Sequence, residues 1–460
     1  MRYAIIGAGL AGLTTALEIR RADADATIDV FEATDRIGGK LLTVPFESGR
    51  VDMGAEGFLF RRQDAVDFFQ SLDLGESIVH PSGLRSILYS GDQATTLPTG
   101  GVMGIPGSSE AVAHLVSPET AARIDAEGDA EPIDWKIGGD VNVGKLVRER
   151  YGDEVVDRSV SALLGGVYSC TADDLGLRAT IPELADALDI LAKKGQKVTL
   201  SGAVRSCEFA RSKAPSSADP VFGAFAGGFA QLYEELAEQS GADIYLDVFV
   251  SAITRDEDGF MFTGAEAPYD KLVLATPAPT TALLLKSLAP EAGETLKSVK
   301  LANSVVVGMK FDSEEGLPDN SGVLIATDQD GVKVKAFTFS SKKWPHLAHQ
   351  GGALVRASFG RFGEDEITRA DEDDLVDWAL DDLKTITGFD GREAGLSEIY
   401  TQRWFGGLPR YDENHLATVA RVRELIAEVD GLEVTGAWAG GVGIPAVIAD
   451  AHAAVARLVG

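Results

Sequence analysis

The chain has 460 residues, of which 45% are hydrophobic and 25% charged, and it carries a net charge of −29. That length is too great for one small core and predicts about two or three domains, while the ordinary hydrophobic fraction predicts a soluble globular protein. So acidic a balance excludes nucleic acid and anionic lipid surfaces as partners, because both repel it.

Residues 3–6 read as a short buried strand. Gly7-Ala8-Gly9-Leu10-Ala11-Gly12 follows at once, then an apolar-periodic helix over 13–19 and a β-rich run over 27–31 that ends at Glu32. This is a strand–turn–helix–strand unit with a dinucleotide fingerprint in its expected place. Gly7 allows the tight turn, Gly9 a close backbone approach to a pyrophosphate, and Gly12 the packing of helix on strand. The helix N-terminus offers free N–H groups and a positive dipole end. Glu32, twenty residues beyond Gly12, suits the two ribose hydroxyls and disfavours a 2′-phosphate, so NADP is not expected. Gly38-Gly39, flanked by Arg36 and Lys40, suits a second backbone approach to the same pyrophosphate and shifts the choice from NAD toward FAD. Taken singly, Arg36 and Lys40 read as solvated surface charges.

Further along, residues 64–72 read as a helix and 84–98 as strand-like. Residues 108–200 are mostly helical in pattern, with helices expected over 110–115, 142–151, 154–164 and 182–193, and an acidic loop over 116–140. Residues 211–220 carry loop chemistry. The α/β texture returns with a helix over 230–239, β-like runs over 242–253 and 260–263, and a strand over 269–277 that stops at Pro277. Residues 301–311, 321–326, 332–340 and 352–359 have β character and suggest an antiparallel or mixed sheet, followed by an acidic amphipathic helix over 371–387. The chain closes on a strand over 432–435, the glycine-bearing run 436–445 and a helix to 458. The nucleotide domain therefore reads as assembled from separated segments.

Cys170 and Cys207 make no disulfide framework and fit a reducing cytosol. His80, His114, His346, His349, His415 and His452 have no metal-ligand spacing. There is no apolar run of about 18 residues, so no membrane span is expected, and no secretory signal precedes the first strand. Peripheral membrane contact stays open. No catalytic triad or paired carboxylates stand out, so no catalytic side chain is assigned.

The run Gln402-Arg403-Trp404-Phe405-Gly406-Gly407-Leu408-Pro409-Arg410-Tyr411, followed by His415, resembles a signature of the FAD-dependent protoporphyrinogen and coproporphyrinogen oxidases of haem biosynthesis. These belong to the larger amine oxidase and phytoene desaturase superfamily. Gly441-Val442-Gly443-Ile444-Pro445 resembles the Gram-positive bacterial members, and Leu97-Pro98, Gly104-Ile105-Pro106 and Leu164-Gly165-Gly166-Val167-Tyr168 match further landmarks. The likeness runs from residue 1 to 458.

The resemblance implies an α/β fold: a discontinuous Rossmann-like FAD-binding domain (1–75, 226–278 and 430–460), a mixed-sheet substrate domain (76–107, 201–225 and 279–429) and a helical insertion (108–200). FAD would lie along Gly7 to Gly12, Glu32-Ala33, Lys40 and Gly54-Ala55-Glu56-Gly57. Val250, in a late strand, would hold the adenine by its backbone, and Trp404, Ala437 and Val442-Gly443-Ile444 would flank the ring. The implied reaction removes six electrons from coproporphyrinogen III and passes them to dioxygen, in the cytoplasm, with a downstream metal chelatase as a plausible recipient of the porphyrin. Protoporphyrinogen IX is the alternative substrate. A flavin amine oxidase, a carotenoid desaturase and a non-catalytic flavin protein are rival readings. Arg61 and Arg62 stand where relatives carry a lysine, and Arg410 where many carry glutamine. Arg61 and Arg62 are candidates for the substrate carboxylates, and Tyr411 for the pocket wall.

Overall fold

The computed structural model describes residues 1–213 and 220–459. Two sheets organise it. The first is five-stranded and wholly parallel, in the order Asp243–Tyr245, Thr27–Phe31, Arg2–Ile6, Lys271–Leu274, Leu432–Val434. Strands from three distant stretches of the chain thus lie side by side. A parallel sheet is covered on both faces, so its strands read as continuous apolar runs. Tyr3 and Ile5 point into one core, with helices Leu10–Ala22, Ala230–Ser240 and Ile444–Val459. Ala4 and Ile6 point into the opposite core, with the helices over 278–296 and His415–Ile426.

The second sheet has seven strands in the order Leu396–Pro409, Leu301–Phe311, Ala353–Phe359, Ala336–Thr338, Gly322–Ile325, Ile87–Ser90, Gln93–Thr96. All its pairings are antiparallel except that of 322–325 with 87–90, so the sheet is mixed. Alternation along each strand separates its faces. Val305, Val307, Val355 and Ala357 pack on Leu375, Ala379 and Leu383 of the helix Glu372–Thr387. Val306 and Leu354 face the other way, onto Leu42, Met53 and Trp344, and so toward the nucleotide-type domain. A helical block, including Val143–Tyr151, Ser161–Tyr168, Pro182–Lys193 and Leu200–Lys213, has its own core, which also takes in Ala302 and Tyr411.

Several expectations are corrected. The supposed acidic loop 116–140 contains a helix, Pro118–Ala126, capped by Ser117 and begun by Pro118. The expected helix 110–115 is only a short 3₁₀ turn, Ser109–Val112. The stretch 154–164 passes through a π turn, Val156–Val160, before the next helix. Within 242–253 only Asp243–Tyr245 is a strand in the sheet, so Val250 lies in irregular backbone rather than in a strand. Residues 211–213 end a helix, and the rest of the expected loop up to 219 lies outside the described residues. The long strand Leu396–Pro409 and the helix His415–Ile426 had no counterpart in the sequence reading.

One buried carboxylate ties the last strand to the helices around it. Asp450, 6% exposed, accepts from Thr435 Oγ1 at 2.8 Å and from the Gly436 amide at 3.2 Å, and pairs with Arg423. It therefore sets where the chain turns into the 436–445 segment. Asp450→Ala leaves a buried amide and a guanidinium without their partner. The expected loss is about 3 kcal/mol of unfolding free energy in urea; a loss below about 1 kcal/mol would show the hub to be dispensable.

Candidate functional site

The opening turn is built by the absence of side chains. Gly7 has φ +107°, and a Cβ there would stand 2.7 Å from the Ala275 carbonyl oxygen. A Cβ on Gly12 would collide with the Gly7 carbonyl. The Gly38 amide donates to the Ala8 carbonyl at 2.9 Å, and a Cβ on Gly39 would lie 2.8 Å from Gly9 Cα. The two glycine runs are therefore in backbone contact. Helix Leu10–Ala22 starts at Gly9 with no side-chain cap and no acid in its first turn. Its leading N–H groups remain as anion donors.

Glu32 closes the second strand beside this turn. Its Oε2 accepts the Ala8 amide at 2.8 Å, and its Oε1 accepts from the Thr34 amide at 3.0 Å and the Thr34 hydroxyl at 2.9 Å. Ala33 is exposed next to it. The segment after Tyr245 runs alongside, with the Val248 amide on the Glu32 carbonyl and Asp247 on Thr34. That brings the buried Val250 into the same neighbourhood. Leu10 and Ala11 are buried in the helix start. The narrow glycine approach, the open helix N-terminus and the acid at the second strand fit an adenine dinucleotide.

Arg36 is no solvated charge. Its guanidinium donates to the carbonyls of Ile37 (3.0 Å), Leu41 (3.0 Å) and Gly39 (2.7 Å), and so shapes the glycine pair from behind. Lys40 donates to the Gly406 carbonyl at 2.8 Å and stands 6.0 Å from the Trp404 ring. Loss of hydration at its ammonium, with the neighbouring Arg36 charge, lowers its pKa to about 8.

The Gly54–Gly57 loop is held from two sides. The Trp404 indole donates to the Met53 carbonyl at 3.0 Å, and Arg356 to the Gly54 carbonyl at 2.9 Å. Gly54 packs on the Lys40 backbone too closely for a side chain, and Gly57 lies against the Trp344 ring. Glu56 is buried among Lys343 (3.0 Å), Arg356 (3.5 Å) and the Ser340 hydroxyl. Burial alone would raise its pKa; the two cations and the hydrogen bonds outweigh this and hold it at about 2. The Glu56 carboxylate is thus committed to protein, leaving the loop backbone and Ala55 to face a cofactor. Arg356, Lys343 and Ser340 come from strand and turn positions that carry no motif, and the sequence reading passed over them.

The C-terminal glycine segment arrives at the same place. Trp438 donates to the Thr276 carbonyl at 3.1 Å, next to the Ala275 carbonyl that abuts Gly7. Helix Ile444–Val459 shares a core with helix Leu10–Ala22. Ala437 packs against that same core and Val442 against the core of the helical block, and Gly443 is exposed. Tyr411 is 4% exposed, donates its hydroxyl to the Ala437 carbonyl and stacks on His415 with centroids 3.8 Å apart. It props up the segment and has no free hydroxyl for a pocket wall. Burial lowers the His415 pKa to about 4, and the neutral ring meets the Trp438 carbonyl at 2.8 Å through Nε2. Its Nε2–H donates to that carbonyl, and burial holds down the basicity of the remaining nitrogen, Nδ1.

Arg61 and Arg62 are both exposed at the turn before the helix Gln63–Gln70, and Arg62 is held by Asp64 through contacts of 2.6 and 2.9 Å. A cavity of about 670 Å³ opens beside Gly406, lined by Pro279, Leu283, Val299 and Leu301 among others and by neither arginine. No group of three metal-ligating side chains occurs among the described residues.

The glycines separate two roles. A Cβ on Gly9 meets only Gly39 Cα at 3.6 Å, an ordinary contact. Gly9→Ala is therefore expected to leave the melting temperature unchanged while weakening cofactor retention roughly tenfold or more, by intruding on the pyrophosphate path. Gly12→Ala is expected to lose about 1–3 kcal/mol of fold stability. Thermal melts and cofactor content of the two purified variants check this; equal effects in both would contradict it.

Residues 10–459 match the family described as flavin containing amine oxidoreductase. The coproporphyrinogen III oxidase of Mycobacterium tuberculosis is 37% identical over 462 residues, covering 99% of this chain and 97% of that protein. The Bacillus subtilis protein of the same name is 27% identical over 464 residues, covering 98% and 96%. A crystal structure from Exiguobacterium sp. 255-15, described as that of a candidate protoporphyrinogen oxidase, superposes with a TM-score of 0.85 at 26% identity, covering 99% of this chain and 98% of that one. The chain belongs to the flavin-containing amine oxidoreductase family and, within it, to the group of the coproporphyrinogen III and protoporphyrinogen IX oxidases.

Proposed function

We propose that the protein is a cytoplasmic, FAD-dependent coproporphyrinogen III oxidase of haem biosynthesis. The reaction takes six hydrogens from the porphyrinogen, as three hydride and proton pairs, gives coproporphyrin III, and reduces three dioxygen molecules to hydrogen peroxide. The observation that carries this reading is the end-to-end likeness, at 37% identity, to a protein named for that activity. The geometry supports it. The chain supplies a dinucleotide cradle and an adjoining cavity.

Bound FAD would supply the hydride acceptor and the route of electron pairs to dioxygen. The residues divide the work of holding it. The amides at Gly9 to Gly12 and the Leu10 helix dipole would receive the pyrophosphate, with Gly38-Gly39 closing on it. Glu32 accepts the ribose hydroxyls, its acid charge excluding a 2′-phosphate. Ala33 and the Val250 backbone flank the adenine. Lys40, the Gly54–Gly57 backbone, Trp404, Ala437 and Val442 to Ile444 surround the ring. Gly441 and Gly443 leave room for a flat macrocycle above it. Tyr411 and His415 fix the backbone of 437–438 through the Ala437 and Trp438 carbonyls. A metal chelatase is the partner that would consume the product.

The test is anaerobic mixing of the purified yellow protein with coproporphyrinogen III, watching the flavin absorbance, and then the same with protoporphyrinogen IX and a primary amine. Bleaching that is fastest with coproporphyrinogen III is expected. Faster bleaching by protoporphyrinogen IX or by the amine would overturn the assignment, and so would a colourless protein that does not take up FAD.

A further inference from the structure

The cavity beside Gly406 has a composition at odds with the rest of the chain. The protein has 71 acidic and 42 basic residues, yet no acidic side chain lines this cavity, and Lys297 and Lys300 both do. Most of its other lining residues are apolar: Pro279, Ala282, Leu283, Val299 and Leu301. At about 670 Å³ it lies within the usual size range of small-molecule sites. Lys300 donates to the Lys297 carbonyl at 3.1 Å and joins no ion pair among the described residues. Lys297 has Glu294 at 2.5 Å, but both side chains are more than half exposed, so an incoming carboxylate competes easily for that ammonium.

The inner end of the cavity touches the cofactor cradle. The Gly406 carbonyl accepts from Lys40 at 2.8 Å and the Gly406 amide donates to Asn303 at 2.7 Å. Gly406 and Asn303 both line the cavity. Two residues before Gly406, Trp404 reaches across to the Met53 carbonyl. A molecule in the cavity is thus one backbone layer from the groups assigned above to the flavin ring.

We propose that this cavity receives a flat apolar molecule bearing several carboxylates, and that Lys297 and Lys300, not Arg61 and Arg62, are the cations that capture those carboxylates. The proposal rests on the porphyrinogen reading and names how its substrate is recognised. The apolar walls take the macrocycle faces. The two lysines are compact charges on flexible stems and accept carboxylates at variable positions without needing bidentate geometry. Exposed rim charges act on capture more than on chemistry, and salt screens them. Neither arginine lines the cavity, whereas both lysines do.

The experiment compares wild type with Lys297→Gln/Lys300→Gln, with Arg61→Gln/Arg62→Gln, and with Lys286→Gln as a surface-lysine control. Oxidation of coproporphyrinogen III is measured at low and high salt. Binding of the product coproporphyrin III and of a dicarboxylate porphyrin is followed by fluorescence. The lysine double variant is expected to raise KM for the tetracarboxylate about tenfold at low salt, with kcat changed less than about twofold and the salt dependence flattened. Its porphyrin affinity should fall more for the tetracarboxylate than for the dicarboxylate, with the flavin spectrum and melting temperature unchanged. Unaltered KM, salt response and porphyrin affinity would overturn the site, as would the same losses in the arginine double variant with none in the lysine one. A wild type that binds coproporphyrin through the lysines but oxidises neither porphyrinogen would refute the activity and sustain the site.

Discussion

The structure depends on a steric constraint: two glycine-bearing turns must touch through their backbones. Gly9 and Gly39 leave no space for a Cβ on the second of them, and Gly12 leaves none between the first helix and the first turn. Every other feature of the candidate site is arranged around that contact. The helix N-terminus, the Glu32 carboxylate and the Ala275 carbonyl next to Gly7 all take their positions from it. A side chain at these points would push apart the elements that converge there.

Charge does the second part of the work. In a chain of net charge −29, cations are scarce, and three of them are spent on the loops of the candidate cofactor site. Arg36 binds three carbonyls behind the glycine pair. Arg356 and Lys343 enclose Glu56 and, through Gly54, lock its loop to the mixed sheet. The enclosed carboxylate keeps its charge down to about pH 2, so this lock holds across the pH range in which such a protein works. The two sheets are joined at the place where a flavin ring is expected, and the cavity with its lysine rim opens from the same wall.

Much of this was legible in the sequence because the signals are local. The strand, glycine turn and acid of the first unit lie within residues 2–32, and turn chemistry alone fixes their order. Strands 301–311 and 353–359 announce themselves through β-branched residues, and helix 182–193 through its apolar period and its leading proline. The strand Leu396–Pro409 does not: only Pro409 in it is buried, so no alternation marks it, and Gly406-Gly407 read as a break. Helix Pro118–Ala126 buries only Ile124 and looks like an acidic loop. The partners of Glu56 lie nearly 300 residues away in sequence, on elements that carry no motif.

The central claim is that segments from both ends of the chain grip one flavin. The most direct measurement is a titration of FAD into flavin-free protein, followed by tryptophan emission with Trp404 and Trp438 replaced in turn by phenylalanine. The account predicts saturation at one flavin per chain, with quenching that diminishes most in the Trp404 variant, the indole assigned to the ring, and less in that of Trp438, which is buried in the neighbouring core. Saturation without quenching, or quenching unaffected by the Trp404 replacement, would contradict it.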